Sequence, residues 1–318
     1  MTLLLAIDGG GTRTRCIAVD RDGRIRGEGR AGPSNHLHVP MDVAAAALRN
    51  AATTALSAAG ATTADVALVS AGLAGVDCDG TGADDATAML RSIDVDRSVV
   101  HGDMVIAHRG ALAGAPGVVA LAGTGSSVLG LAADGAMIKA GGWGPLYGDE
   151  GSAYQLGRLG LVAAAQAFDG SGPATALIEK LTRALGVADF RDTVSPLYAL
   201  GGGQHRVAAL AEVVDACAAD GDEVAAAICR RAGVDLAHAV VAVIRRLPVQ
   251  DVLVSYHGAV LERSPRVRAA FVDALGSEAP DAEVRPPRFE PVLGAALLGA
   301  AMLGWHLPID APETHSGL

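Results

Sequence analysis

A strand, a glycine-rich loop, a second strand and a tight turn follow one another twice in this chain. Gly11-Thr12 in the first loop corresponds to Gly123-Thr124 in the second, and the turn Asp22-Gly23 corresponds to Asp134-Gly135. Both pairs are separated by the same 112 residues. A fixed offset between matching loops and turns indicates an internal duplication, so the chain is expected to fold into two halves of similar topology.

Strands and helices alternate after each copy. In the first half, the pattern of apolar residues predicts a helix over Met41 to Ala59, strands over Val66 to Ala71 and Ser98 to His101, and a helix from about Asp103. The second half begins its helices at about Glu150 and has a later strand followed by a helix. Such alternation produces a sheet covered on its faces, so we expect an α/β fold with one sheet per half and a cleft between the halves.

The length of 318 residues fits two domains of roughly 150 residues each. We expect an N-terminal lobe over residues 1–115 and a C-terminal lobe over residues 116–318, with the terminal helix a candidate to pack back on the N-terminal lobe. Pro291 to Leu307 is uncharged but shorter than the roughly 20 residues of a membrane span, which favours a buried helix over a membrane anchor. The N-terminal residues lack the basic start of a signal peptide, so we expect a cytoplasmic protein.

Charge and motif content exclude several classes of protein. The net charge of −10 disfavours a nucleic-acid partner, because such surfaces neutralise phosphates with basic side chains. Lysine occurs only at Lys139 and Lys180, neither of which follows a glycine, so the chain has no Walker A loop. The glycine loops also lack the Rossmann dinucleotide pattern. The four cysteines are widely spaced, as is typical of reduced buried thiols rather than of a metal site.

The two glycine loops could be simple turns or phosphate-binding loops. Without Cβ atoms, their backbone N–H groups can approach an anion closely. Two loops at matching positions, each with a hydroxyl side chain, favour the second interpretation, in which both walls of a cleft hold a chain of phosphates. Asp8 ends the first strand beside the first loop. A carboxylate there would repel phosphates unless a cation lay between them, so Asp8 is a candidate Mg²⁺ ligand through water, the alternative being a turn-stabilising residue.

Asp103 follows a short strand and begins a predicted helix. Two interpretations of its carboxylate remain open: a helix cap, or a general base that accepts the proton of an attacking hydroxyl during phosphoryl transfer. Asn35 and His36 lie in a Pro-Ser-Asn-His loop and could either bind a ligand by hydrogen bonds or simply form a turn.

The segment Gly141 to Ser152 combines many glycines with Trp143 and the adjacent carboxylates of Asp149 and Glu150. Carboxylates accept hydrogen bonds from sugar hydroxyls, and glycines allow a ring to approach closely. The segment is therefore a candidate polyol pocket. The alternative is that Trp143 fills the core and Asp149 caps the next helix.

At these residues the sequence resembles the N-acetylglucosamine kinase and BadF-type ATPase family, a branch of the actin-like sugar kinase superfamily. The resemblance covers essentially the whole chain and consists of six motifs in the expected order. These are IDGGGTRT at Ile7 to Thr14, GPSNH at Gly32 to His36, SAGLAG at Ser70 to Gly75, GDMVIA at Gly102 to Ala107, LAGTGSS at Leu121 to Ser127, and GGWGPLYGDEGSAYQLG at Gly141 to Gly157. It implies two duplicated actin-like, ribonuclease H-like lobes around a nucleotide and sugar cleft.

The resemblance also implies roles for individual residues. Asp103 corresponds to the base that acts on the sugar 6-hydroxyl. The implied ATP contacts are Gly9, Gly10, Gly11, Thr12, Arg13, Gly123, Thr124, Gly125, Ser126 and Gly258. The implied sugar contacts are Asn35, His36, Gly72, Asp103, Thr124, Trp143, Gly144, Asp149 and Glu150.

Three positions depart from the family pattern. Gly102 precedes the implied base where the family usually has Asn, and Ser127 stands in the second loop where Asn is frequent. The adenosine loop, which usually has paired glycines, here has His257 followed by the single Gly258.

The expected function is an ATP- and Mg²⁺-dependent kinase that phosphorylates the 6-hydroxyl of N-acetylglucosamine or glucosamine. Its expected partner is a small-molecule sugar, with no nucleic acid and no membrane, and a homodimer is the default expectation for the assembly. Two alternatives stay open: a BadF-type ATPase that activates a partner enzyme, and a sugar-sensing module without catalysis. The sequence leaves the choice between glucosamine and its N-acetyl derivative open, since an acidic pocket suits an ammonium group and an acetamide needs room and a neutral donor.

Overall fold

The computed structural model describes residues 1–198, 203–248 and 251–308. The chain divides into two compact units. The first contains Met1–Pro116 together with the chain from Pro286 onward, and the second is Gly117–Arg285. The C-terminal lobe expected over residues 116–318 therefore corresponds to the second unit only as far as Arg285.

The first unit contains five strands, which form a single mixed sheet in the order β3-β2-β1-β4-β5. The first three strands are joined as antiparallel hairpins, whereas β4 and β5 run parallel to β1. Short 3-10 helices lie at Thr63–Asp65 and Arg91–Ile93. The strands are β1 (Leu3–Gly9), β2 (Thr14–Asp20), β3 (Ile25–Ala31), β4 (Val66–Leu73) and β5 (Ser98–Gly102), and the helices are α1 (Met41–Ala59), α2 (Ala83–Leu90) and α3 (Asp103–Ala111).

The second unit repeats this topology. Its sheet order is β8-β7-β6-β9-β10, with β6 to β8 antiparallel and β9 and β10 parallel to β6. The duplication predicted from the matching loops is thus confirmed. The strands are β6 (Gly117–Ala122), β7 (Ser126–Leu131), β8 (Met137–Gly141), β9 (Leu253–His257) and β10 (Glu283–Val284). The helices are α4 (Ala153–Phe168), α5 (Leu177–Ala184), α6 (Val194–Tyr198), α7 (Gly203–Ala209), α8 (Ala211–Ala219), α9 (Glu223–Ile244), α10 (Ala259–Arg263) and α11 (Pro265–Glu278), with a 3-10 helix at Phe190–Thr193.

The final helix, α12 (Pro291–Leu303), belongs to the first unit. Residues Leu4 and Ala6 of β1 pack in one core cluster with α12, while Leu3, Leu5 and Ile7 pack in another with α1. Successive strand residues face opposite sides of a sheet, so this alternation buries both faces of β1. None of the helices in the described part of the chain is long and apolar enough to cross a membrane.

Two glycines of the first unit allow unusually close packing, one between β3 and α1 and the other between α12 and α3. A Cβ on Gly29 of β3 would lie 2.0 Å from the Ala51 carbonyl oxygen in α1. A Cβ on Gly294 of α12 would lie 1.9 Å from the Ile106 carbonyl oxygen in α3. Both distances are far below van der Waals contact, so any larger residue would force the backbones apart.

Replacing Gly294 by Ala should therefore destabilise the first unit. We expect Gly294→Ala to cost about 1–3 kcal/mol, the usual range for overpacking, and to lower the thermal unfolding midpoint. The control is Gly276→Ala in α11, where a Cβ would meet nothing within 4 Å. That change should be neutral or stabilising by up to about 1 kcal/mol, because Ala favours helices. Equal unfolding midpoints for Gly294→Ala and the wild type would contradict this packing.

Candidate functional site

Three strands of the first unit end at the same edge of the sheet, and the candidate chemical groups lie at these ends. Asp8 of β1 is in register with Gly72 of β4, and Leu73 of β4 is in register with Gly102 of β5. Asp103 follows Gly102 directly. The carboxyl ends of parallel strands are where α/β proteins bind ligands, so this edge is a candidate site.

The first glycine loop is a tight connection between β1 and β2. Gly10 N–H donates to the Arg13 carbonyl at 2.9 Å, and Thr12 and Arg13 are exposed. Gly9 is the last residue of β1 and is buried. A Cβ there would be 2.4 Å from Ser34 Oγ, which gives Gly9 a packing role whatever it contributes to a ligand.

The loop that contains Asn35 is fastened to the first glycine loop. Ser34 N–H donates to the Gly10 carbonyl at 3.0 Å, and Thr14 Oγ1 donates to Ser34 Oγ at 2.9 Å. Asn35 is buried and its Oδ1 accepts from Leu37 N–H at 3.0 Å, so Asn35 forms the turn that was one of its two interpretations.

Two neighbouring residues extend this part of the candidate site. The His36 side chain is buried, with its Nε2 3.9 Å from the Asp85 carboxylate. A Cβ on Gly75 would lie 3.0 Å from Asn35 Oδ1 and 2.9 Å from the His36 ring. Gly75 belongs to the same strand-end segment as Gly72, so the Asn35 loop lies against the candidate edge.

Asp103 is the first residue of α3, and the N-cap position belongs to Gly102. One carboxylate oxygen of Asp103 accepts from Met104 N–H at 2.8 Å. A Cβ on Gly102 would lie 2.7 Å from the Val76 carbonyl oxygen. That close contact explains the glycine at a position where the resembling family usually has Asn.

In the second unit, the second glycine loop lies at the start of α4. Gly123 N–H donates to the Gly125 carbonyl at 2.9 Å, which closes the loop. The carbonyls of Gly123 and Thr124 accept from Ala153 and Tyr154 N–H at 2.9 and 3.2 Å. The first N–H groups of the helix, which have no partner within it, thus hold the loop in place.

Gly258 packs against the strand that leads into the second glycine loop. Its φ is 100°, and a Cβ would lie 2.5 Å from the Ala122 carbonyl oxygen. Gly258 N–H donates to Glu262 Oε1 at 3.0 Å, and the same oxygen lies in close contact with His257 Nδ1. The hydrogen bond with His257 lowers the pKa of Glu262 below its ordinary value.

Asp149 contacts the second glycine loop directly. It is 4% exposed, has a φ of 62°, and its Oδ1 accepts from Ser126 N–H at 3.3 Å. A Cβ on Gly125 would lie 2.9 Å from its carboxylate. Burial raises the pKa of Asp149, and the nearby charge of Glu150 adds to the increase. Ser152 is the N-cap of α4, so the interpretation of Asp149 as the helix cap is wrong.

Trp143 is 66% exposed, so the alternative in which it fills the core is also wrong. Its ring lies 6.3 Å from that of Tyr147, and both line a cavity of about 370 Å³ in the second unit. We call this the Trp143 cavity. Its other lining residues are Ser126, Ser127, Val128, Ala140, Gly141, Glu150, Asp235, Leu236, His238 and Ala239. Gly144 lies in the same loop as Trp143 but does not line the cavity.

Sequence reasoning missed Asp235 and His238, which α9 brings to the Trp143 cavity. Both are separated from the Trp143 loop by more than 80 residues, and no local motif surrounds them. The sequence signal that could have identified them is their separation of three positions along α9. Residues i and i+3 share one face of a helix, and the rest of this helix is rich in buried apolar residues.

Among the described residues no group of three or more His, Cys, Asp or Glu side chains could hold a metal ion by itself. The four cysteines are free thiols, and burial raises the pKa of Cys229 to about 12. Such thiols stay protonated and are poor metal ligands.

Similarity to known proteins extends over nearly the whole chain. It is 27% identical over 303 residues to the N-acetylmuramic acid/N-acetylglucosamine kinase of Clostridium acetobutylicum, covering 94% of this chain and 98% of that protein. It is 29% identical over 310 residues to the N-acetyl-D-glucosamine kinase of Dictyostelium discoideum, covering 93% and 97%. A solved structure from Chromobacterium violaceum, provisionally named an N-acetylglucosamine kinase, is 25% identical with a TM-score of 0.78, covering 94% of this chain and 99% of that one.

The family comparison agrees with the motifs and with the duplicated sheets. The model of the BadF/BadG/BcrA/BcrD ATPase family matches residues 5–299. The resemblance inferred from the sequence and the expected actin-like α/β fold are both confirmed. This chain belongs to the BadF/BadG/BcrA/BcrD ATPase family.

Proposed function

We propose that this chain is an ATP-dependent amino-sugar kinase that transfers the γ-phosphoryl group to the 6-hydroxyl of N-acetylglucosamine or glucosamine. The observation that carries the proposal is Asp103 at the carboxyl end of β5, on the edge where Asp8 and Gly72 also lie. The two curated relatives, both named as kinases of N-acetylated sugars, support the choice of acceptor.

ATP binding in this proposal depends on backbone groups. The loop after β1 and the loop after β6 have glycine and hydroxyl residues at matching positions of two sheets with the same topology. Peptide N–H groups in such loops bind phosphate oxygens without a lysine. Gly258 packs against Ala122 at the end of β6, and this contact would hold the second glycine loop in place for nucleotide binding.

Asp103 is the proposed base. Its carboxylate accepts the proton of the sugar hydroxyl as that oxygen bonds to the γ-phosphorus and the bond to the leaving ADP oxygen breaks. Asn35, Thr124 and Asp149 are the proposed sugar contacts, with Asn35 held by its own turn and Asp149 by Ser126 N–H.

Asp8 fits the role of a Mg²⁺ ligand that acts together with the nucleotide. Mg²⁺ usually binds one or two carboxylates, several waters and the phosphates of a substrate, rather than a cage of protein ligands. A single half-buried carboxylate beside the first glycine loop agrees with that mode. When bound, the ion neutralises phosphate charge.

The base assignment predicts the behaviour of Asp103→Asn. We expect kcat for sugar phosphorylation to fall by roughly 10²–10⁴-fold, because the amide cannot accept the proton, while ATP affinity stays within a few-fold. Coupled ADP release with N-acetylglucosamine and glucosamine measures kcat, and calorimetric titration with ATP measures affinity. Asp96→Asn, an exposed position in the same unit, should leave both unchanged. Full turnover by Asp103→Asn would refute the role of Asp103.

The second loop predicts an effect of Gly258→Ala on ATP. The new Cβ would displace the Ala122 backbone, so we expect ATP affinity to fall by about tenfold, equivalent to about 1.4 kcal/mol. Gly135→Ala is the matched control, because Gly135 also has a positive φ of 90° but a Cβ there meets nothing within 4 Å. Both variants place an alanine at a positive φ, whereas only Gly258→Ala also brings a Cβ against a backbone atom. Equal ATP affinity in the two variants would argue against it.

The metal assignment predicts that Asp8→Asn raises the Mg²⁺ concentration required for half-maximal activity by about tenfold or more, since a neutral amide binds the ion more weakly than a carboxylate. Titrating Mg²⁺ at fixed ATP and sugar in the ADP-release assay measures this value. Asp96→Asn should match the wild type. An unchanged Mg²⁺ requirement in Asp8→Asn would remove Asp8 from the metal site.

A further inference from the structure

His257 lies at the carboxyl end of β9, beside the strand that leads into the second glycine loop. It is in register with Leu121 of β6, which runs parallel to β9. The next residue, Gly258, is so close to the loop that a Cβ on it would lie 3.1 Å from Gly123 N. His257 and the second glycine loop therefore share the edge of the sheet at which α/β proteins bind ligands.

The side chain of His257 faces away from the core of the second unit. Val254 and Tyr256 of the same strand belong to that core, and successive strand residues face opposite sides of a sheet. The His257 side chain is 19% exposed, although its Nδ1 is buried. The exposed part of the side chain therefore lies away from Nδ1 and is accessible to a ligand.

Glu262 holds the Nδ1 side of the His257 ring. Its Oε1 lies in close contact with His257 Nδ1 and also accepts from Gly258 N–H at 3.0 Å. An ionised carboxylate has only acceptors, so Nδ1 carries the hydrogen of this contact. The contact fixes the orientation of the ring and leaves Nε2 for a second partner.

The contact between Glu262 and His257 is also an ion pair. The hydrogen bond with His257, together with the positive charge of its ring, lowers the pKa of Glu262. The neighbouring cation, Arg263, is 75% exposed and lies 3.6 Å from Glu212, so solvent screens its charge. In an ion pair with the Glu262 carboxylate, the imidazole carries a hydrogen on each nitrogen, which makes Nε2 a charged donor.

We propose that His257 Nε2 donates to a phosphate oxygen of the nucleotide at the second glycine loop, and that Glu262 positions the ring for this contact. The inference rests on the proposed kinase function and deepens it, because it names a cation for a loop, Gly123 to Ser127, that contains no lysine or arginine. Hydrogen bonds between charged groups are about twice as strong as neutral ones. The resembling family usually has glycine in place of His257, so this contact would distinguish the chain from its relatives.

The test is a double-mutant cycle on ATP binding. It compares the wild type, His257→Gln, Glu262→Gln and the double variant with His205→Gln. His205 is exposed on α7 of the same unit and is the matched control for the loss of one histidine. Calorimetric titration with ATP at low and at high NaCl concentration gives the affinity and its salt dependence. Thermal unfolding midpoints show whether each variant is folded.

We expect His257→Gln to lower ATP affinity by about tenfold, as is typical of losing a hydrogen bond between charged groups. The same variant should be less sensitive to NaCl than the wild type, because salt screens the ionic contact that it lacks. Glu262→Gln should lower ATP affinity by a smaller factor, and the double variant should bind ATP as His257→Gln does. His205→Gln should match the wild type.

Wild-type ATP affinity in His257→Gln would overturn the inference. So would a loss of affinity with unchanged salt dependence, since a structural role or a neutral contact would produce it. An effect of Glu262→Gln that is equally large in the double variant would show that Glu262 does not act through the ring. If His257→Gln does not fold, wild-type affinity and salt dependence in Glu262→Gln would overturn the inference instead.

The proposed function is tested separately by sugar-dependent ADP release. A wild type that binds ATP but releases no ADP with any sugar would end the proposed function, whereas the titrations would still decide the contact of His257. A wild type that binds no ATP would overturn both.

Discussion

Close packing at three glycines positions the candidate catalytic groups. Gly9 is the last residue of β1, Gly102 is the last of β5, and Gly258 follows β9. A Cβ at these three positions would lie 2.4–2.7 Å from a neighbouring atom of the same unit. Gly9 is in direct contact with the Ser34 and Leu73 side chains, and Gly102 and Gly258 are in direct contact with backbone carbonyl oxygens. Asp8 and Asp103 are next to two of these glycines, so close packing fixes their backbone positions.

Under the proposed function, the same construction would let a chain with two lysines bind a polyanion. Lys180 forms an ion pair with Asp220, and Lys139 lies on β8 rather than in a glycine loop. In the proposed kinase, charge compensation for ATP phosphates would come from peptide N–H groups, from Arg13 in the first loop, and from a divalent cation. Peptide N–H groups direct partial positive charge at an anion without adding a titratable group, and their positions depend on the glycine contacts described above.

The sequence predicted the helices and strands that depend on local residue patterns. The helix over Met41 to Ala59 matches α1 because its apolar period extends over five turns. The helix expected from Glu150 begins instead at Ala153, since Ser152 supplies the cap. The contact of α12 with β1 joins residues nearly 300 positions apart, and Asp235 reaches the Trp143 loop across about 90 residues. Such contacts arise from tertiary packing, which leaves little trace in a local pattern.

Asp149 and Asp235 show that two carboxylates whose pKa is raised by the same cause can be compensated in different ways. Burial is the first cause of a raised pKa at both residues. Asp149 accepts from Ser126 N–H and packs on Gly125, so its negative charge helps to hold the second glycine loop. Asp235 is 21% exposed, and its Oδ2 lies 3.5 Å from Arg231 Nε, one turn away on α9. The cost of burying the Asp149 carboxylate is offset by a hydrogen bond inside the protein, whereas the charge of Asp235 is offset by an exposed cation and by solvent. The same rise in pKa therefore occurs in two structural settings: one carboxylate holds a loop, and the other forms an ion pair along a helix.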